Sequence, residues 1–323
     1  MKLVVGFLTY NDSSAKYLAD FLPSLKNALN FLSADDYRVL VFDNSEPANN
    51  LNRLALDNFN NENPNFLEYL HAAGNLGFSR AYNILIHSAS RLKAEYFLVI
   101  NPDTLLEKET ISELVSALDK DVSLASVSPK IRRWDFAANT KTKMIDSCGL
   151  LLKPGLRFID LGQGQEDDKR FDSFSIFGPS GAAGLFRLES LEKIKENEQY
   201  FDERFFMYKE DCDLAYRLSL IGGKSALVPS SIMYHDRTAA SSGEGIINKA
   251  LDRRKKSRQI RIWSFRNQHL IFVKHWSKQN FLSKVFIIAR IITSAIFALI
   301  LEQFLLKEYK DILNFSKVLT NVK

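Results

Sequence analysis

Glu210 and Asp211 stand directly in front of a helical run, Leu214, Leu218 and Ile221, that stops at Gly222-Gly223. Carboxylates in the first turn of a helix are stabilised by its dipole, and a carboxylate so placed can take a proton from an incoming hydroxyl. One strand-like stretch later comes a lone histidine, His235, behind Ile232-Met233-Tyr234. Neutral imidazole is the commonest protein ligand for a metal. Far upstream, the apolar run Tyr96–Ile100 closes on Asn101-Pro102-Asp103-Thr104, which sets another acid on a strand end. Asp103 and His235 are therefore candidate ligands of a divalent cation, Mg²⁺ or Mn²⁺, and Asp211, with Glu210 beside it, is the candidate base. Acids and a histidine on separate strand ends point to a metal-assisted transfer.

Each of these residues has a plainer reading. Asp103 and Thr104 are good N-cap residues and could serve only the helix that follows. Glu210 and Asp211 could be solvated first-turn charges or partners of Arg217; that reading is adopted for Asp213 but not for Asp211. A lone histidine is more often structural than a ligand. Asp43 could close an Asx-turn with Ser45 instead of accepting a hydrogen bond from a ligand. Cys212, beside the acids, reads as a buried structural cysteine.

The elements that must position these groups alternate along the chain. Lys2–Thr9 is an apolar strand closed by the turn cluster Tyr10–Ser14, and Tyr17, Leu18, Phe21, Leu22, Leu25, Leu29 and Leu32 mark the apolar side of a helix. Tyr37–Phe42 is a strand ending in Asp43-Asn44-Ser45. Phe66–Leu70 is a shorter strand before a glycine-containing loop that opens a helix. Glu95–Ile100 and Ser123–Val127 are strands around a helix predicted from Glu107 to about Leu118. Such alternation predicts an α/β fold with a mostly parallel sheet covered on both faces. Ligands bind beyond the carboxyl ends of strands in sheets of this kind, and Thr9–Asn11, Asp43–Ser45 and Asn101–Asp103 all occupy that position. From Lys130 to Phe177 scattered glycines suggest hairpins, and Ala239–Ile247 reads as a mobile loop.

Taken in order, FLTYND, FDNSEP, NLGFSRAYN, INPDT, SGAAGLFR, FDERFFMYKEDCDLAYRL and FRNQH resemble the family 2 glycosyltransferases of GT-A fold, and among them the bacterial rhamnosyltransferase-like members. The likeness runs from about Lys2 to His275. It implies a Rossmann-like, mostly parallel central sheet with helices on both faces, plus a helical C-terminal extension. Residues 1–240 would be the transferase domain, with a nucleotide-binding half (1–128) and an acceptor and catalytic half (129–240). Residues 241–323 would form a basic and apolar helical region. The implied reaction is inverting transfer of a sugar, rhamnose favoured, from a dTDP- or UDP-linked donor to a hydroxyl of a lipid-linked or cell-surface glycan. By the resemblance, Thr9, Asn11 and Asp43 would hold the base and ribose, and Asn75 and Arg80 belong to the donor-binding loop. Asp103 matches the last acid of a DxD motif whose first position is Asn101 here. Asp211 matches the base with Glu210 its neighbour, and His235 matches a late metal or diphosphate contact. Two rivals are a GT-A-fold binding or scaffold protein without turnover and a sugar nucleotidyltransferase. The second would need a glycine-rich, basic phosphate loop after the first strand, which TYNDSSAKY lacks.

With 323 residues, 46% of them hydrophobic, the chain can bury a real core, and its net charge of +5 is too small to imply nucleic acid. Two cysteines at no metal or redox spacing speak for no oxidising compartment. The first residues read as strand and turn, not as a signal peptide, so a cytoplasmic location is expected. Positive charge gathers at Arg253, Arg254, Lys255, Lys256, Arg258, Arg261 and Arg266, and the segment Val285–Leu301 is broken only by Arg290, Thr293 and Ser294. A basic stretch before an amphipathic apolar helix predicts peripheral contact with the inner membrane face or a lipid-diphosphate acceptor. A buried helix, a homo-oligomer contact and a membrane span are the alternatives.

Overall fold

The structure, a computed structural model, describes residues 1–47, 50–72, 74–237, 253 and 256–321. It divides into two compact units. One comprises Met1–Leu151, Asp160–Phe206 and Glu210–Thr238; the other comprises Leu152–Ile159, Met207–Lys209 and the described residues after 239.

The first unit is built on one sheet. Its strands are β1 (Leu3–Thr9), β2 (Tyr37–Asp43), β3 (Leu67–His71), β4 (Tyr96–Ile100), β5 (Thr104–Leu106), β6 (Leu124–Asp135), β7 (Thr140–Ser147), β10 (Ala183–Arg187) and β11 (Lys224–His235). Their order is β3-β2-β1-β4-β10-β6-β11-β5, with β7 on β6. β1 to β4 are mutually parallel, as are β6 and β11. β10 runs antiparallel between β4 and β6, and β5 and β7 are antiparallel additions. The sheet is therefore mostly parallel, and its parallel strands deliver their carboxyl ends to one edge.

Side-chain alternation explains why both faces are covered. Leu3, Val5 and Phe7 of β1, with Val39, Val41, Leu98 and Ile100, join one core together with α1 (Asn11–Leu29) and α4 (Thr110–Lys120). Val4, Leu40, Phe42, Phe97 and Val99 join the opposite core with α3 (Gly77–Arg91), α5 (Leu188–Lys193) and α6 (Glu210–Leu220). A strand buried on both sides reads as a continuous apolar run, which is how β1, β2 and β4 read.

The differences from the sequence reading lie outside those central strands. β6 runs to Asp135, well past Val127, and α2 (Leu51–Glu62) forms where no element was assigned. The helix expected from Glu107 begins at Thr110, with Glu109 as N-cap and no side-chain cap bond. Asp103 and Thr104 therefore do not cap it: Thr104 opens β5, and its hydroxyl donates to Asn101 O at 2.6 Å. The hairpin strands β8 (Leu150–Lys153) and β9 (Arg157–Asp160) fall in the segment where glycines marked turns.

The second unit is helical. It contains α7 (Arg258–His275), α8 (Phe281–Leu301) and α9 (Glu308–Asn321), which packs on α7. Ser257 and Asn280 cap α7 and α8 by accepting from Ile260 N and Ser283 N. Arg253 and Arg261 converge on buried Glu302, and Arg258 lies over the Phe304 ring at 4.7 Å. Arg253 and Arg261 are thus partly covered and paired with an acid, while Arg258 is exposed. Arg254, Lys255 and the Ala239–Ile247 loop lie outside the described residues.

Candidate active site

The ends of β1 and β2 meet at Thr9 and Asp43, which are register partners. Asp43 is fully buried. Its Oδ1 accepts from Thr9 Oγ1 (3.0 Å), Ser45 Oγ (2.6 Å) and Ser45 N (3.1 Å), and its Oδ2 from Asn50 Nδ2 (2.8 Å) and Tyr69 OH (2.9 Å). Burial opposes the charge, but these hydrogen bonds outweigh it and hold the carboxyl below its usual range. Asp43 thus makes the Asx-turn with Ser45 and organises the loop; it presents no free oxygen for a direct bond to a base. Asn11 has φ +45°, and its N–H donates to Ser45 Oγ at 2.7 Å. Asn44 bridges to the next loop, accepting from Leu76 N and donating to Gly77 O. Asn75 closes that loop on Gly77 N (2.8 Å), and Arg80 is an exposed side chain 3.8 Å from Glu203.

Next along the edge, β4 passes into Asn101, whose N–H donates to Ala182 O at 2.9 Å. Asp103 follows, its main-chain oxygen accepting from Asp236 N. The pairing of β5 with β11 brings Thr104 opposite His235, and the His235 ring lies between two acids. Its Nε2 is 3.3 Å from Asp103 Oδ2 and its Nδ1 2.8 Å from Asp146 Oδ2. Asp146 also binds Arg237 at 3.2 Å, and Arg237 reaches Asp160 at 3.3 Å. Burial alone would lower the His235 pKa; Asp103, and then Asp146, outweigh it and push it up to about 10. Burial likewise disfavours charge on Asp146, but His235 and Arg237 prevail and hold it low, whereas burial wins at Asp160 and raises it.

The acid pair opens α6. Glu210 is buried, while Asp211 is only partly covered. Asp211 Oδ2 accepts from Gly181 N at 3.0 Å and Oδ1 from Cys212 N at 2.7 Å. Gly181 precedes Ala182, the residue bonded to Asn101, so one short loop links Asp211 to the Asp103 turn. The Tyr82 hydroxyl, which donates to Ile100 O, feels both Asp103 and Glu210. Just before the pair, Tyr208 and Lys209 hold φ of +73° and +72°. Such backbone costs about 1–3 kcal/mol per residue. Within the helical unit Asn267 donates to Met207 O (2.8 Å) and Tyr208 O (2.7 Å), which offsets part of that cost.

Asp103 Oδ1 is buried without a hydrogen-bond partner. His235 Nε2 adds a second donor once a cation displaces the proton that Asp103 and Asp146 favour on the ring. Among the described residues no group of three or more His, Cys, Asp or Glu side chains converges. The set therefore fits a hard cation shared with the phosphates of a ligand, the usual manner of Mg²⁺, and not an all-protein cage.

Of the two readings given for Asp213, pairing with Arg217 holds, at 2.8 Å, but the residue is fully buried and not solvated. Asp146, Asp160 and Arg237 did not stand out as site residues; their partners lie some 77–91 residues away in sequence, and no local pattern announces them.

A parallel sheet carrying such a cluster on its carboxyl edge, with an antiparallel strand set into it, is the architecture of the GT-A glycosyltransferases. The chain belongs to glycosyl transferase family 2, whose profile it matches over residues 5–195. It is 29% identical over 157 residues (47% of this chain, 46% of the relative) to the low-salt glycan biosynthesis hexosyltransferase Agl10 of Haloferax volcanii. It is 27% identical over 192 residues (54% and 60%) to the N-acetylglucosaminyl-diphospho-decaprenol L-rhamnosyltransferase of Mycobacterium tuberculosis. These matches span about half of each curated relative. Among solved structures, the mannosyltransferase PcManGT from Pyrobaculum calidifontis, in complex with GDP-Man and Mn²⁺, aligns over 98% of this chain and 86% of its own with a TM-score of 0.52 and 16% identity. That likeness is one of fold.

Proposed function

We propose that the protein is an inverting glycosyltransferase that moves a sugar from a dTDP- or UDP-linked donor to a hydroxyl of a lipid-linked or cell-surface glycan. The observation that carries this reading is the linked edge cluster: Asp103 with its unpartnered oxygen, His235 against it, and Asp211 tied through Gly181–Ala182 to Asn101. Rhamnose is favoured by the likeness to the mycobacterial rhamnosyltransferase, whose name also supplies the lipid-diphosphate acceptor.

In this reading Thr9, Asn11, Ser45 and Asn75 shape the nucleotide end, with Asp43 beneath them as the anchor, and Arg80 and Asn101 flank the donor. Asp103 and His235 would hold a divalent cation. When bound, that cation neutralises charge growing on the departing diphosphate. Asp211 takes the proton from the acceptor hydroxyl. The oxygen then forms its bond to the anomeric carbon as the bond to the phosphate oxygen breaks, and the diphosphate leaves with the electron pair. Attack opposite the leaving group inverts the anomeric centre. The bonds from Gly181 N and Cys212 N aim the Asp211 carboxylate, and its neighbour Glu210 is buried.

The chain would act at the cytoplasmic membrane surface. α8 has 21 residues and a mean hydropathy of 2.2, long and apolar enough to cross a bilayer, yet only 11% of it is buried. An arginine at the centre of a span costs about 2.5–3.5 kcal/mol, and Arg290 is partly covered while Ile288 and Ile292 are exposed, so we place the helix in the interface.

The test is nucleoside diphosphate release from a panel of dTDP- and UDP-sugars with Mn²⁺, Mg²⁺ or EDTA and a lipid-diphosphate sugar as acceptor. Metal-dependent release from one donor is expected. Asp211→Asn should lower it about 10²–10⁴-fold without weakening nucleotide binding. Absence of any nucleotide binding would refute the reading.

A further inference from the structure

The edge cluster leaves one guanidinium unused. Arg133 lies on β6, where it is the register partner of His235 on β11. Register partners sit about 5 Å apart and face the same side of a sheet, so the Arg133 side chain leaves its strand beside His235. Gly164 locates the other end: a Cβ built on that glycine would lie 3.6 Å from Arg133 Nη2. Gly164 follows Gln163, whose Nε2 donates to Asp160 Oδ2 at 3.1 Å and to Asp146 O at 3.5 Å. The side chain thus starts at His235 and ends next to the residue that bridges Asp146 and Asp160.

Arg133 Nε and Nη2 are both buried without a hydrogen-bond partner, and the side chain makes no ion pair among the described residues. The acids around it are committed elsewhere. Asp146 holds His235 and Arg237, Asp160 holds Arg237, Ser147 and Gln163, and Asp167 holds Lys130 and Arg132. A buried cationic donor without a partner is costly and calls for an explanation. Nε and Nη2 are also the two nitrogens that together form a side-on fork, the arrangement that suits a phosphate. The residue as a whole is only partly covered, which leaves a ligand room to approach. Asp103 and His235 give a cation just two protein donors, so phosphate oxygens would complete its shell one strand away from Arg133. We infer that Arg133 binds the diphosphate of the nucleotide-sugar donor through this fork and positions it for departure. The inference rests on the proposed function, for which it names a further residue on the leaving group.

The full-length protein is titrated with dTDP and UDP by calorimetry, with Mn²⁺ and with EDTA, and with thymidine and uridine by ligand-observed NMR. Arg133→Gln should weaken the diphosphate that the wild type binds by roughly 10–100-fold, the value of one or two charge-assisted hydrogen bonds. The loss should appear with and without Mn²⁺, and affinity for the matching nucleoside should not change. Arg133→Lys keeps the charge but not the fork, so it should recover only part of the loss. Without ligand the melting temperature of Arg133→Gln should not fall, because the substitution removes an unmet buried charge. Equal weakening of diphosphate and nucleoside, with a lowered melting temperature, would make Arg133 structural and overturn the inference. If the wild type binds a diphosphate and Arg133→Gln binds it equally well, Arg133 is misassigned while the proposed function stands. If the wild type binds neither diphosphate, the proposed function fails and the inference falls with it.

Discussion

Asp146→Asn separates a metal-tuning role from a structural one. Asp146 is 1% exposed; one oxygen accepts from His235 Nδ1 at 2.8 Å and the other from Arg237 at 3.2 Å. Asparagine keeps the shape but has one acceptor. If its oxygen stays on His235, its amide group faces the guanidinium of Arg237, donor against donor. Arg237 then leans on Asp160, 3.3 Å away. The imidazole loses the carboxylate that fixes its orientation and strengthens its other nitrogen as a ligand. Loss of such a partner costs about 10–100-fold in metal affinity, equal to about 1.4–2.7 kcal/mol, and the mismatched buried pair costs about 1–3 kcal/mol of stability. The assay is Mn²⁺ titration of the nucleotide-bound protein by electron paramagnetic resonance, with thermal melting alongside. The apparent Mn²⁺ affinity should fall by that factor while turnover at saturating Mn²⁺ stays within several-fold of wild type. Wild-type Mn²⁺ affinity with a lowered melting point would refute the argument and leave Asp146 purely structural.

Other consequences follow from the same contacts. Asp213→Ala strands the Arg217 guanidinium, 5% exposed, without its partner; urea denaturation should show a loss of about 3–5 kcal/mol, and a loss below about 1 kcal/mol would contradict the buried-pair account. Gly77→Ala sets a Cβ 2.5 Å from Phe206 O at φ +76°, so it should cost about 1–3 kcal/mol and raise the donor KM; an unchanged melting point and KM would show that the loop yields freely. Asp43 is held below its usual pKa, so its stabilising effect is complete above the unfolded value of about 3.9 and is lost as pH falls through the folded value. Asp43→Asn should therefore lose stability near neutral pH, with the gap from wild type closing below about pH 4; a gap constant with pH would count against the charge.

The central strands, and the helices between them apart from α2, were legible, the strands because burial on both faces leaves an unbroken apolar run, as in Leu3–Phe7 and Tyr96–Ile100. The candidate residues at their ends were legible for a related reason. A parallel sheet puts all its carboxyl ends on one edge, so polar residues closing successive runs must be neighbours. Short β5 was not legible, since three residues show no period and its reason to be a strand is the edge of β11. Nor did residue type reveal that Asp43 is saturated by hydroxyl and amide donors while Asp103 keeps a bare oxygen, because the two differ only in what folds around them.

By itself the sequence determined the α/β sheet and placed the candidate acids and histidine on one edge of it, because local periodicity and strand ends are short-range properties. Only the tertiary structure decided that His235 is gripped by Asp146 and that Asp213 belongs to the core. Those facts depend on long-range packing and pairing, and the energy of a charge is set by what surrounds it, not by its neighbours along the chain.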